Sequence, residues 1–315
     1  MTTALLTEPR ATSPRPSSWL PAFLALAAIW GSSFLFIKVG VRELHPVYLT
    51  LIRCAAGAVT LLVVLVVTRD RLPRDLRLWG HLAVIALIGN VIPFTLFAYG
   101  EQRISSILAG IWNGTTPLIV LVVVMLFLPE ERPTRRRIAG LVLGFGGVLV
   151  ILGVWRGVGS AELTGQLLCG AAAVGYGVAM PYTRRVLRGR SESGVAFAAS
   201  QVLAATVQLA LVAPLIAGAP PSPASLSLEV VASSLALGVF GTGLGFWLYY
   251  RLIGVAGATT TSTVTYVLPV FSTVLGILVL NEAIHWYEPV GALVVLAGIA
   301  ISQGVSIRIR GGHRT

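Results

Sequence analysis

Apolar residues run along this chain in long stretches instead of alternating with polar ones. A bilayer-crossing helix needs ~20 such residues. Runs near that length cover 19–40, 46–68, 78–100, 104–128, 137–155, 163–183, 194–217, 229–250, 255–281 and 287–307. The fold class they predict is an all-α membrane protein of ten transmembrane helices.

The runs fall into two similar sets. Pro117 opens an apolar segment that Glu130 closes, and a shift of 152 residues carries the pair onto Pro269 and Glu282. The same shift carries Gly89 onto Gly241 and Gly146 onto Gly298, while a shift of 146 lays Trp30 on Tyr176 and Lys38 on Arg184. The expected organisation is a first five-helix repeat over 19–155 and a second over 156–308. Tails at 1–18 and 309–315 flank them. Five spans per half is odd, so the halves are inverted, an arrangement that places a ligand near the midplane in transporters.

Composition agrees with a lipid-facing surface. The chain is 56% hydrophobic and 11% charged, with a mean hydropathy of +0.86, whereas a soluble domain carries about 25% charged residues. Residues 1–18 hold Pro9, Pro14 and Pro16 among Thr and Ser and read as a disordered cytoplasmic tail. They are no signal peptide, because the first apolar run, from Trp19, is long enough to span. Cys54 and Cys169 lie inside apolar runs and read as buried, inert thiols without metal-ligand spacing.

The net charge of +11 is an orientation signal, not a nucleic-acid footprint. With the N-terminus inside, 18 of the 23 basic residues fall in cytoplasmic segments, with clusters at Arg69–Arg77, Arg132–Arg137 and Arg184–Arg190. Only Arg42, Arg103 and Arg156 fall outside, and Lys38 and Arg53 sit within or at the ends of spans. The bias puts both termini in the cytoplasm. An Ala/Arg/Gly-rich chain without a targeting motif points to a bacterial plasma membrane.

The segment Trp30-Gly-Ser-Ser-Phe34, followed by Lys38, His45-Pro46 and Leu51-Ile-Arg53, resembles the opening of EamA-type carriers of the drug/metabolite transporter superfamily. The paired Pro117/Glu130 and Pro269/Glu282 closings resemble the end of each EamA half, with Asn281-Glu282 standing where Gly-Glu is commoner. The resemblance runs from about Trp19 to Ile307. It implies the two-repeat fold and export of amino acids, metabolites or drug-like compounds, with no cofactor and no enzymatic activity.

Polar and aromatic residues inside the spans are the candidate site. Trp30 and Ser33 lie midway along the first span, with Tyr176 the repeat counterpart of Trp30. Trp112, Asn113 and Thr116 precede Pro117, as Thr265 and Tyr266 precede Pro269, and two proline-interrupted segments at matching positions mark a transporter site. Pro117 and Pro269 are the expected kinks. Asn90, Tyr99 and Trp247 complete the set of cavity candidates. Lys38 and Arg53 are expected near the outer end, as a positive mouth for anionic groups, or as side chains that snorkel to the outer headgroups or pair with Glu43 or Glu101. Glu130 and Glu282 are expected to cap the next helix, span 5 or 10, or to meet a nearby Arg. All twelve Asp and Glu residues are expected in tails, loops or span ends, which favours uniport or exchange over a buried proton carrier.

The partners expected are a small-molecule substrate and membrane lipids, with a homodimer left open. An intramembrane enzyme and a non-transporting scaffold or lipid-handling protein are the rivals. Against the enzyme, no HExxH or GxSxG occurs, and His45, His81, His285 and His313 lie in loops or at span ends.

Overall fold

The apolar runs fold as helices because lipid offers no partner for backbone N–H and C=O groups, so each segment must satisfy its own. A computed structural model describes residues 16–127, 134–156, 159–257, 260–261 and 263–303. Among them there is no β-strand. The principal helices are α1 (Pro16–Gly40), α2 (Pro46–Val67), α3 (Leu76–Glu101), α4 (Ser106–Gly114), α5 (Thr116–Phe127) and α6 (Arg135–Leu152). The second half holds α7 (Ser160–Leu187), α8 (Gly194–Ala217), α9 (Leu228–Ala256), α10 (Val264–Leu280) and α11 (Tyr287–Gln303). Seven helical segments are long and apolar enough to cross a membrane, and Val264–Leu280 and Tyr287–Ser302 are shorter apolar helices. Much of the outer surface is apolar: Leu215 is 84% exposed and Leu211, Leu278 and Val142 about two-thirds or more.

Helix starts follow from the residues that precede them. Ser105, Thr134, Ser193 and Ser227 each accept a hydrogen bond from a backbone N–H of the first turn, as Asp75 does for α3. Such caps satisfy donors that a helix cannot satisfy itself.

Several boundaries differ from the sequence expectation. The fourth apolar run breaks at Thr115, so Pro117 sits in the first turn of α5 and kinks no helix interior. Its missing N–H would have bonded the Asn113 carbonyl, and the Thr116 hydroxyl donates to that oxygen instead at 2.7 Å. Pro269 does lie inside its helix. The ninth run was expected from 255, but α9 continues to Ala256 and α10 starts at Val264. The calls at 1–15, Glu130, Thr259 and 304–315 lie outside the described residues, whereas residues 16–18 of the tail expected at 1–18 already belong to α1.

Both α3 and α9 change to π-helical winding midway, at Leu87–Val91 and Leu237–Leu244. The two stretches are related by the 152-residue shift. Glycines then set how closely the helices meet. A Cβ on Gly238 would lie 2.5 Å from Ala56 Cβ and 2.8 Å from the Arg53 carbonyl, so α9 lies almost backbone-to-backbone on α2. In the same way a Cβ on Gly140 would lie 2.4 Å from the Gly298 carbonyl oxygen, so α6 packs closely on α11. Small residues that admit close approach are the usual means of holding helices together in lipid. Cys54 and Cys169 are free and fully buried.

Candidate functional site

The helices enclose a cavity of about 670 Å³, within the ordinary range for small-molecule sites. Its walls come in repeat-related pairs. Trp30 on α1 meets Phe246 and Tyr249 on α9, with ring centroids 6.3 and 5.3 Å apart. Tyr176 on α7 meets Phe94 and Phe97 on α3 at 6.4 and 6.1 Å. The 152-residue shift carries Phe94 onto Phe246 and Phe97 onto Tyr249, so two equivalent aromatic triads face one space, and all six residues line it. Asn113 and Thr265 form a further repeat-related pair in the lining.

The π-helical turns supply the polar geometry. A wider turn loosens the regular backbone ladder, a device frequent at functional sites. The Gly241 carbonyl accepts from Trp30 Nε1 at 3.1 Å, which gives the mid-span indole its partner. Thr242 Oγ1 accepts from Arg53 Nε at 2.9 Å. On the other side Gln201 Nε2 donates to Asn90 Oδ1. The 152-residue shift relates Asn90 to Thr242, and α2 and α8, starting at Pro46 and Gly194, bring Arg53 and Gln201 to matching places. One clasp therefore carries a charge where its counterpart carries an amide.

Of the candidates named from sequence, Trp30, Ser33, Arg53, Asn113, Thr116, Tyr176 and Thr265 border the cavity. Others do not. Asn90 is fully buried against Gln201, and Trp112 is buried with its indole 3.4 Å from Gln166 Oε1. Tyr99 faces His45, and Trp247 lies beneath Arg251. Tyr266 and Pro269 line a separate apolar groove of about 310 Å³ beside α11.

Lys38 forms no part of a cavity mouth. Its ammonium is held by the Glu101 and Ile104 carbonyls at 2.6 and 2.7 Å, where it satisfies the C-terminal end of α3. Arg53 lies at the inner reach of the cavity and is 8% exposed. The charged rim lies at the opposite end, formed by Arg184, Arg188, Arg190 and Glu192. Near Lys38, the Ile37, Leu44, Leu49 and Ala98 side chains pack together in a buried core, of which Ile37 also borders the cavity.

Two carboxylates depart from expectation. Glu101 closes α3 as anticipated, yet it is fully buried and neither side-chain oxygen has a hydrogen-bond partner. The buried acid removes the premise on which uniport or exchange was favoured. Glu282 caps the start of α4, not span 10: its oxygens accept from Ser106 N, Ser106 Oγ and Ile107 N at 2.9, 2.7 and 3.2 Å. Asn281 makes this reach by adopting a left-handed conformation, φ 54° and ψ 33°, with Glu282 N returning to the Gly276 carbonyl. Asn is the residue that best replaces Gly in that conformation, which explains its place in the motif. Among the described residues no His, Cys, Asp and Glu cluster is suited to a metal.

Outside the spans, Asp75 accepts from the Arg77 N–H and from Arg190, and these bonds hold its carboxyl below the ordinary carboxylate range. Sequence reasoning missed Phe94, Phe97, Phe246 and Tyr249 as a set. Applying the 152-residue shift to the aromatics would have found them.

Known proteins resemble this chain along most of its length. An uncharacterised transporter of Bacillus subtilis (strain 168), YoaV, is 26% identical over 277 residues, spanning 88% of this chain and 93% of that protein. The uncharacterised inner membrane transporter YedA of Escherichia coli (strain K12) is 27% identical over 286 residues, 90% of each. A solved crystal structure, described only as that of a protein, superposes with a TM-score of 0.65 at 21% identity, over 93% of this chain and 99% of the other. The EamA-like transporter family matches residues 17–153 and, a second time, 163–303. With both halves matched, the chain belongs to the EamA-like transporter family.

Proposed function

We propose that this membrane transporter exports small metabolites, amino acids or drug-like solutes by alternating access through the cavity between its halves. The observation that carries the reading is the pair of repeat-related aromatic triads, Trp30/Phe246/Tyr249 and Tyr176/Phe94/Phe97, facing one cavity. Two equivalent walls around one site let either half swing while the solute keeps its contacts. Counting α4 and α5 as one pass, the eleven described helices make ten crossings with both termini in the cytoplasm, in keeping with the basic bias of the even-numbered connections. The cavity rim at Arg184–Glu192 then faces the cytoplasm, the side from which an exporter loads. The inner-membrane name of one bacterial relative agrees with a bacterial plasma membrane. Export down a solute gradient needs only uniport or exchange, although the buried Glu101 no longer argues for that choice over proton coupling, and a scaffold would leave the lined cavity unused.

Counterflow in proteoliposomes, screened against amino acids and amphipathic drugs, tests the reading. A transported solute should lose most of its flux in Trp30→Ala and in Tyr176→Ala. Full flux in both variants, or no solute moved by the folded protein, would sink it.

A further inference from the structure

Charge inside the cavity is lopsided. Among the described residues, ion pairs join Arg42 to Glu229 and Arg190 to Asp75 and Glu192. Arg53, in the cavity wall, belongs to none of them. Its partners are Thr242 Oγ1, which accepts from Nε, and the Phe94 ring, whose centroid lies 3.6 Å from Cζ. A guanidinium carries five N–H donors, so the two terminal amino groups remain for something else. Glu101 is the carboxylate whose field reaches Arg53, but it lies outside the cavity lining and makes no ion pair with it. A cation more than nine-tenths buried and without a carboxylate is expensive unless another group compensates it.

The surroundings fix the geometry of that compensation. The Thr242 bond takes one edge of the guanidinium and the Phe94 ring covers one plane, which leaves its terminal amino groups at the cavity wall. A planar fork matches a carboxylate with two parallel hydrogen bonds. The matching place in the other half holds Gln201, a neutral amide already engaged with Asn90. The site can therefore bind one anionic group and cannot bind two symmetrically. At the open end Arg184 and Arg188 border the rim without an ion pair among the described residues. They extend a positive path inward, which concentrates anions. Between them lie the two aromatic triads.

From this we infer that the cavity is an organic-anion site: Arg53 binds one carboxylate of the solute, and the aromatic triads hold its apolar or aromatic remainder. The inference rests on the carrier reading and narrows its substrate class to monoanions. A solute of one orientation follows, with the carboxylate toward α2 and the apolar body between Trp30 and Tyr176.

The test measures equilibrium binding to the full chain in phosphatidylcholine nanodiscs, by quenching of tryptophan fluorescence. Three probes of one shape are compared: 3-phenylpropionate, 3-phenylpropionamide and 3-phenylpropylammonium. In the wild type the carboxylate should bind about ten-fold tighter than the amide, with the ammonium weakest. Arg53→Met should abolish that advantage while keeping the amide's affinity. Arg53→Lys should keep part of it. Equal binding of carboxylate and amide, preference for the ammonium, or no carboxylate binding up to its solubility limit would overturn the inference. So would an undiminished advantage in Arg53→Met. Where the methionine variant does not fold, the three-probe comparison on the wild type and Arg53→Lys still decides it. Binding without counterflow would count against the carrier reading alone, whereas counterflow of cations with no carboxylate preference would count against the anion site alone.

Discussion

Replacing Glu282 by alanine removes a cap that ties the end of one repeat to the middle of the other. The carboxylate accepts three hydrogen bonds at the start of α4: from Ser106 N at 2.9 Å, Ser106 Oγ at 2.7 Å and Ile107 N at 3.2 Å. Ser106 and Ile107 are both fully buried, so water does not readily replace the lost acceptor at their amides. Hydrogen bonds to a charged group contribute about 1.5–3 kcal/mol each, and a buried donor left unmade costs about 1–3 kcal/mol. The carboxylate also meets the positive end of a helix, a contact of about 0.3–1 kcal/mol. Glu282 itself is partly exposed, which moves the sum to the lower end, about 3 kcal/mol for Glu282→Ala. Glutamine keeps one acceptor oxygen and can hold one side of the cap, so Glu282→Gln should lose about 1–2 kcal/mol. Ser106→Ala, which spares both amide bonds, should lose about 1 kcal/mol. Unfolding in mixed micelles of rising dodecyl sulfate fraction, followed by far-ultraviolet circular dichroism, measures all three. A Glu282→Ala protein within about 0.5 kcal/mol of wild type, the range of an ordinary surface substitution, would refute the cap.

Two further outcomes follow from the same geometry. Asn281, at φ 54°, should tolerate Gly with little change, whereas Asn281→Val should lose about 1–2 kcal/mol in the same unfolding assay, because a branched side chain resists the left-handed region. Asp75 has its carboxyl held low by the Arg77 N–H and by Arg190, so it contributes stability above its unfolded pKa, lost as pH falls through the lower folded value. Unfolding midpoints of Asp75→Asn should therefore fall less steeply than those of wild type below about pH 4.

The apolar runs fixed the helices by themselves, because in lipid a backbone without internal hydrogen bonds is not tolerated, and length decided which segments suffice. Repeat spacing was equally legible: Pro117/Pro269 and Trp30/Tyr176 stand in the sequence whatever the fold. Which polar residues share a cavity was not legible. Trp112 and Asn113 are neighbours in sequence, yet one is buried against Gln166 and the other faces the cavity, since a helix turns successive side chains about 100° apart. Arg53 and Lys38 read alike as charges near the outer end. Only the packing of α2 on the π-helical turn of α9 gave the first a cavity and left the second on backbone carbonyls. Glu101 read as peripheral because it ends a span. It is buried because α3 and α7 meet there through glycine, with a Cβ on Gly100 falling 2.5 Å from Cys169 Sγ, and closeness between distant segments is decided by tertiary packing alone.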